Sequence, residues 1–163
     1  MMQKLGFLIF LIVFIFFVLA NLYFLDRHCF SCPIEYKWDM VVRSDSRGSG
    51  YFQSRRNGRR SHNGIDLLAE LGASVSASGS GRVLACGKNR GMGNFVIISH
   101  AGGLTTVYGH LMSYCVKKTQ FLRQGQVIGK VGKSGNAAHH AIQPHLHFEV
   151  RKNGVPQNPF DYL

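Results

Sequence analysis

The 163 residues are enough for one folded domain plus an anchor. Nineteen Lys and Arg against eight Asp and Glu give a net charge of +11, which points to a polyanionic partner: nucleic acid, an anionic membrane surface or an anionic cell wall. Nineteen glycines against four prolines imply many tight turns and argue for short strands rather than long helices.

The chain opens with an apolar run, Leu5 to Leu25, that contains no charged residue. As a helix this run is about 32 Å long, matched to the ~30 Å hydrocarbon core of a bilayer. Lys4 precedes it and Asp26, Arg27 and His28 follow it, a weak asymmetry that leans toward the amino terminus inside. The rival reading is a signal peptide cleaved after Val18-Leu19-Ala20, but the apolar run continues past that point. Either way the remainder is expected on the extracytoplasmic side, as a single-pass membrane protein or a secreted one. That location leaves no place for nucleic acid as a partner. Residues 1–25 are thus expected to form the anchor, 26–49 a juxtamembrane linker and 50–163 the functional domain.

The four cysteines, Cys29, Cys32, Cys86 and Cys115, permit disulfides in an exported protein, with three pairings open. The stretch 46–61 is polar and basic, with Arg47, Arg55, Arg56, Arg59 and Arg60, and reads as a loop. Beyond it, short apolar runs alternate with glycine turns. Arg82–Cys86, Asn94–Ser99, Leu104–Tyr108, Gln126–Val131 and His145–Val150 read as strands, the second and third joined through Gly102-Gly103. No later segment has a sustained 3.6-residue period, so the expected fold is mainly β: an antiparallel sheet or sandwich with an open groove, preceded by one N-terminal transmembrane helix.

Three short motifs carry chemistry. His62-Asn-Gly-Ile-Asp66 places an imidazole and a carboxylate four residues apart, with Asn63-Gly64 to turn the backbone between them. In His145-Leu-His147-Phe-Glu149 the alternation of a strand puts the three polar residues on one face and Leu146, Phe148 and Val150 on the other. Two imidazoles about 7 Å apart on one strand face can serve one site. His110 follows Tyr108-Gly109 at the end of a predicted strand. His100 reads as structural, and His139-His140 as solvated loop residues.

In order, His-x-x-x-Asp, Tyr-x-His-Leu, the glycine-rich Gly129–Gly135 and Pro144-His-Leu-His-Phe-Glu-Val150 resemble the lysostaphin/LytM-type metallopeptidases. Gly79-x-Gly81-Arg-Val83, Gly93–His100 and Asn158-Pro159 match as well, so the resemblance runs from about Gly50 to Leu163. It implies one zinc ion (Zn2+) held by His62, Asp66 and His147, catalytic roles for His110 and His145, and an orienting role for Glu149. Arg55, Arg56 and Tyr108 are the expected substrate contacts. The implied activity is hydrolysis of peptide cross-links in bacterial peptidoglycan by a zinc-activated water, with stem peptides as substrate. The alternative is a catalytically silent wall-binding or activator module on the same fold, and a protein activator is a further candidate partner. Two stretches depart from the family pattern: Phe52-Gln-Ser-Arg55 lacks the glycine often found between the aromatic residue and the arginine, and the loop 136–143 carries paired histidines.

Overall fold

The computed structural model of the chain describes residues 2–24, 30–56 and 60–163. The end of the expected anchor at Leu25, Cys29 and Arg59 lie outside the described residues. Helix α1 runs over Met2–Phe24, and its side chains from Gly6 to Val18 are exposed. Among the described residues, no helix is long and apolar enough to cross a membrane.

The rest is β-structure with three 3-10 turns. Two small hairpins come first: β1 (Ser44–Asp45) with β2 (Gly48–Ser49), and β3 (Arg55–Arg56) with β4 (Arg60–Ser61). The main sheet has nine strands: β5 (Ile65–Leu68), β6 (Ser74–Ser76), β7 (Gly81–Asn89), β8 (Gly93–Ser99), β9 (Leu104–Tyr114), β10 (Phe121–Leu122), β11 (Val127–Val131), β12 (His145–Lys152) and β13 (Val155–Gln157). Its path is β10-β7-β8-β9-β11-β6, and β12 branches off to pair with β9, β5 and β13. Every pairing is antiparallel, as the mainly β expectation requires.

The core lies under β12. Leu146, Phe148 and Val150 are fully buried on its apolar face, packed with Ile65, Val96, Ile98, Tyr108 and Ile128. Such a strand, buried along nearly its whole length, gains stability from every apolar side chain, about 1.5–3 kcal/mol for each one removed from water.

From Phe30 onward the stretch expected as a linker packs against the domain. Ile34 is part of the core, with Phe30, Cys32, Tyr36 and Met40 against it. The backbone is tied in by Phe30 N–H to the Tyr162 carbonyl and Ser76 N–H to the Pro33 carbonyl, and Tyr36 donates its hydroxyl to the Leu68 carbonyl. The physical reason is that apolar residues spaced between polar ones find an uncovered edge beside β5 and β6. Cys32, Cys86 and Cys115 are free thiols.

Candidate metal centre

Sheet register assembles the site. Asp66 on β5 and His147 on β12 are direct cross-strand partners, and His147 also faces Gly109 on β9. His62 reaches the same point through the Asn63-Gly64 turn, which crosses β12 so closely that a Cβ at Gly64 would land on the Phe148 carbonyl oxygen. Only glycine allows that crossing. His110 follows Gly109 at an irregularity between β8 and β9, where its φ of 59° lies in the left-handed region. That conformation costs a non-glycine residue energy and is found where structure over-determines it.

The ligand atoms converge. Asp66 Oδ1 is 3.0 Å from His62 Nε2 and 2.9 Å from His147 Nδ1, and those two nitrogens are 3.0 Å apart. All three residues are buried. The outer ring nitrogens fix the tautomers. His62 Nδ1 is 3.0 Å from the Tyr51 carbonyl oxygen, which can only accept, so Nδ1 donates and Nε2 presents its lone pair to the cluster. His147 Nε2 donates to Glu149 Oε1 at 2.9 Å, which turns Nδ1 inward. Glu149 is held in turn by Arg151. Two imidazole lone pairs and a carboxylate oxygen thus point at one spot, an arrangement that a cation satisfies. The donor set, two nitrogens and one oxygen from protein, fits a catalytic divalent metal with a position left open.

Electrostatics agree. Burial works against the charge on Asp66, but its close contacts with His147 and His62 outweigh it and hold the carboxyl well below the usual range. Burial would lower His147, yet Asp66 and Glu149 lift it to about 9, because two carboxylates favour positive charge at this place.

The other two histidines flank this cluster. Their rings meet edge to face with centroids 5.0 Å apart. His110 Nδ1 donates to the Ser134 carbonyl at 2.9 Å and His145 Nδ1 to the Gln143 carbonyl at 2.7 Å, so both turn an unprotonated Nε2 away from those anchors. His145 Nε2 stands 3.8 Å from Asp66 Oδ1. Burial, followed by the neighbouring His147 and His145, pushes His110 down to about 3, and burial also lowers His145. His110 is therefore neutral at physiological pH, and each ring presents a lone pair at Nε2.

These residues form the floor of a groove of ≈ 860 Å³, with Arg43, Arg47, Arg55, Met92 and Ile142 on its walls. The polar face of β12, expected on an open groove, is deep: His145, His147 and Glu149 are 2%, 9% and 4% exposed. Arg55 lines the groove, and the side chain of Arg56 lies outside the described part. Tyr108 is not on the groove wall. It is fully buried, with its hydroxyl accepting from Ser78 N–H and bonded to Thr106 Oγ1. His100 is structural, bridging the Ser80 carbonyl and Thr106. Sequence reasoning missed Arg43, Ser134 and Gln143; the last two act through backbone carbonyls, which no side-chain pattern betrays.

Residues 60–159 match the model of peptidase family M23. The chain belongs to that family. The M23 domain is 43% identical over 100 residues to the DD-carboxypeptidase/endopeptidase Mpg of Neisseria meningitidis serogroup B, a match that covers 61% of this chain and 22% of that protein. The chain therefore corresponds to about a fifth of the length of that relative. Among solved structures, a zinc-containing peptidase from Vibrio cholerae superposes with a TM-score of 0.66 at 33% identity, covering 79% of this chain and 38% of that one. The catalytic domain of lysostaphin from Staphylococcus simulans gives 0.61 at 29% identity, covering 72% and 91%. The resemblance seen in the motifs is thus a true family relationship, and it extends to the fold.

Proposed function

We propose that this M23 domain is a zinc-dependent endopeptidase that hydrolyses peptide cross-links of bacterial peptidoglycan. The observation that carries the reading is the convergence of His62 Nε2, Asp66 Oδ1 and His147 Nδ1 beside two further histidines that lie outside the ligand set. The chemistry a bound zinc ion supplies here is Lewis-acid activation of water and of the scissile carbonyl.

The chain's own residues do the rest. His110 and His145, pinned through Nδ1, accept the proton of the attacking water at Nε2 and return one to the leaving amine. Glu149 keeps the His147 ring in its binding tautomer. The deep walls keep bulk water off the reacting atoms, which strengthens each of these interactions. Arg55, with Arg56 next in sequence, meets the carboxylates of stem peptides. We further propose, from the sequence alone, that the apolar run 5–25, which ends outside the described residues, holds the chain at the membrane with the catalytic domain on the extracytoplasmic side, where peptidoglycan is found.

The test uses the full chain, purified in detergent, with zinc content measured before incubation with purified peptidoglycan. One zinc per chain and chelator-sensitive release of peptide fragments, identified by mass spectrometry, are the expected results. Bound zinc without fragment release would turn the reading to a silent wall-binding or activator module.

A further inference from the structure

Arg43 lies outside the stretch that matches the family model, yet it reaches the centre of the site. It is 1% exposed, the largest of the fully buried side chains. A guanidinium this deep persists only when paired. Its Nη2 donates to Asp66 Oδ2 at 3.0 Å, the oxygen that does not face the histidines. Its Nη1 lies 2.6 Å from Asp45 Oδ1. Among the described residues neither Nε nor Nη1 has a hydrogen-bond partner, so the group is held by one hydrogen bond to Asp66 and the ion pair of Nη1 with Asp45.

The contact continues beyond Asp45. Asp45 Oδ2 accepts from the backbone N–H of Gln143 at 3.3 Å, and the carbonyl of that same Gln143 accepts from His145 Nδ1 at 2.7 Å. A single guanidinium therefore connects a ligand carboxylate to the peptide that orients a catalytic histidine. The backbone is built to keep it there. Arg43 N–H donates to the Asp66 carbonyl, Asp66 N–H to the Gly50 carbonyl and Gly50 N–H to the Arg43 carbonyl, each at 2.8 Å. A Cβ on Gly50 would approach the Arg43 carbonyl oxygen and Asp66 Cβ at 2.8 Å each, so glycine is required for this three-way closure.

We propose that Arg43 and Asp45 are positioning residues: Arg43 engages Asp66 Oδ2 so that Oδ1 alone is offered to the metal, and Asp45 transmits the same restraint through Gln143 to His145. The inference rests on the zinc reading above. A free carboxylate can rotate or bind through both oxygens; one whose second oxygen is committed to a buried cation does neither. Arginine suits the task because its planar fork reaches two carboxylates at once, whereas lysine is a point charge.

Two variants of the full chain separate the parts. Arg43→Lys keeps the buried charge and removes the fork. It is expected to bind zinc about 10- to 100-fold more weakly in competition with a chromophoric chelator. It should also alter the visible spectrum of the cobalt-substituted protein. Asp45→Asn, with its amide oxygen toward Arg43, places an NH2 against Gln143 N–H and breaks that link while keeping an acceptor for Nη1. It should change zinc affinity and the cobalt spectrum less than Arg43→Lys does, while lowering kcat on the order of 10- to 100-fold at constant KM. Arg43→Lys with wild-type zinc affinity and cobalt spectrum overturns the restraint on Asp66. Asp45→Asn with wild-type kcat overturns the link to His145, however Arg43→Lys folds. A wild-type chain that takes up no zinc overturns the zinc reading itself.

Discussion

His110 and His145 face each other edge to face across 5.0 Å, each with Nδ1 committed to a backbone carbonyl, and neither belongs to the ligand triad. On the proposed reading, metal binding and proton transfer fall to different side chains, so they can be lost separately. His110→Ala and His145→Ala are each expected to reduce fragment release by about 10²–10⁴-fold while keeping zinc. His147→Ala is expected to lose both. Zinc content and digestion of peptidoglycan by the same preparations check this.

Glu149 is 4% exposed and accepts a hydrogen bond from His147 Nε2–H at 2.9 Å. Glu149→Gln keeps an acceptor and removes the charge. Zinc affinity should fall by about 10-fold, the lower end of what loss of such an outer partner costs. Titration against a competing chelator measures it, and unchanged affinity would show that the charge of Glu149 has no part in binding.

Gln53, a non-glycine residue before the first histidine of the cluster, adopts φ 59°. Its side chain is exposed. Gln53→Gly should raise stability by up to about 1 kcal/mol, the left-handed strain relieved less the added freedom of the unfolded chain. Chemical denaturation would read the shift in midpoint; a destabilised variant would mean that Gln53 makes a contact worth more than its strain.

Burial raises the pKa of the Cys32 thiol, whereas Cys115 is exposed. The thiolate is the reactive form, so a raised pKa leaves less of it at a given pH. Alkylation near pH 8 should label Cys115 well before Cys32, and labelling of Cys32 should accelerate as the pH rises. Mass spectrometry of peptides over a time course gives the order.

Much of this was legible in the sequence, for identifiable reasons. The five strands read from β-branched runs are all present, because alternation and apolar content coincide in them. β5 was not legible: Ile-Asp-Leu-Leu is four residues long and is interrupted by Asp66, the carboxylate that the site requires. The inward face of β12 was legible, but its depth was not, since the covering walls come from the β1–β2 hairpin and the loop before β12. Arg43 gave no signal at all. A lone arginine in a polar stretch looks like a solvated residue until the chain brings Asp45 and Asp66 to it.

The crossing of Gly64 over Phe148 has a wider meaning for how this protein matures. His62 and Asp66 can meet His147 only when β5 and β12 are aligned to the residue; displaced by one, the pleat would send Asp66 and the histidines of β12 into hydrocarbon. Near-native misalignments are therefore inert as well as unstable. On the proposed reading, hydrolytic competence arrives only with the last correct strand alignment, and a half-made chain cannot act on its surroundings.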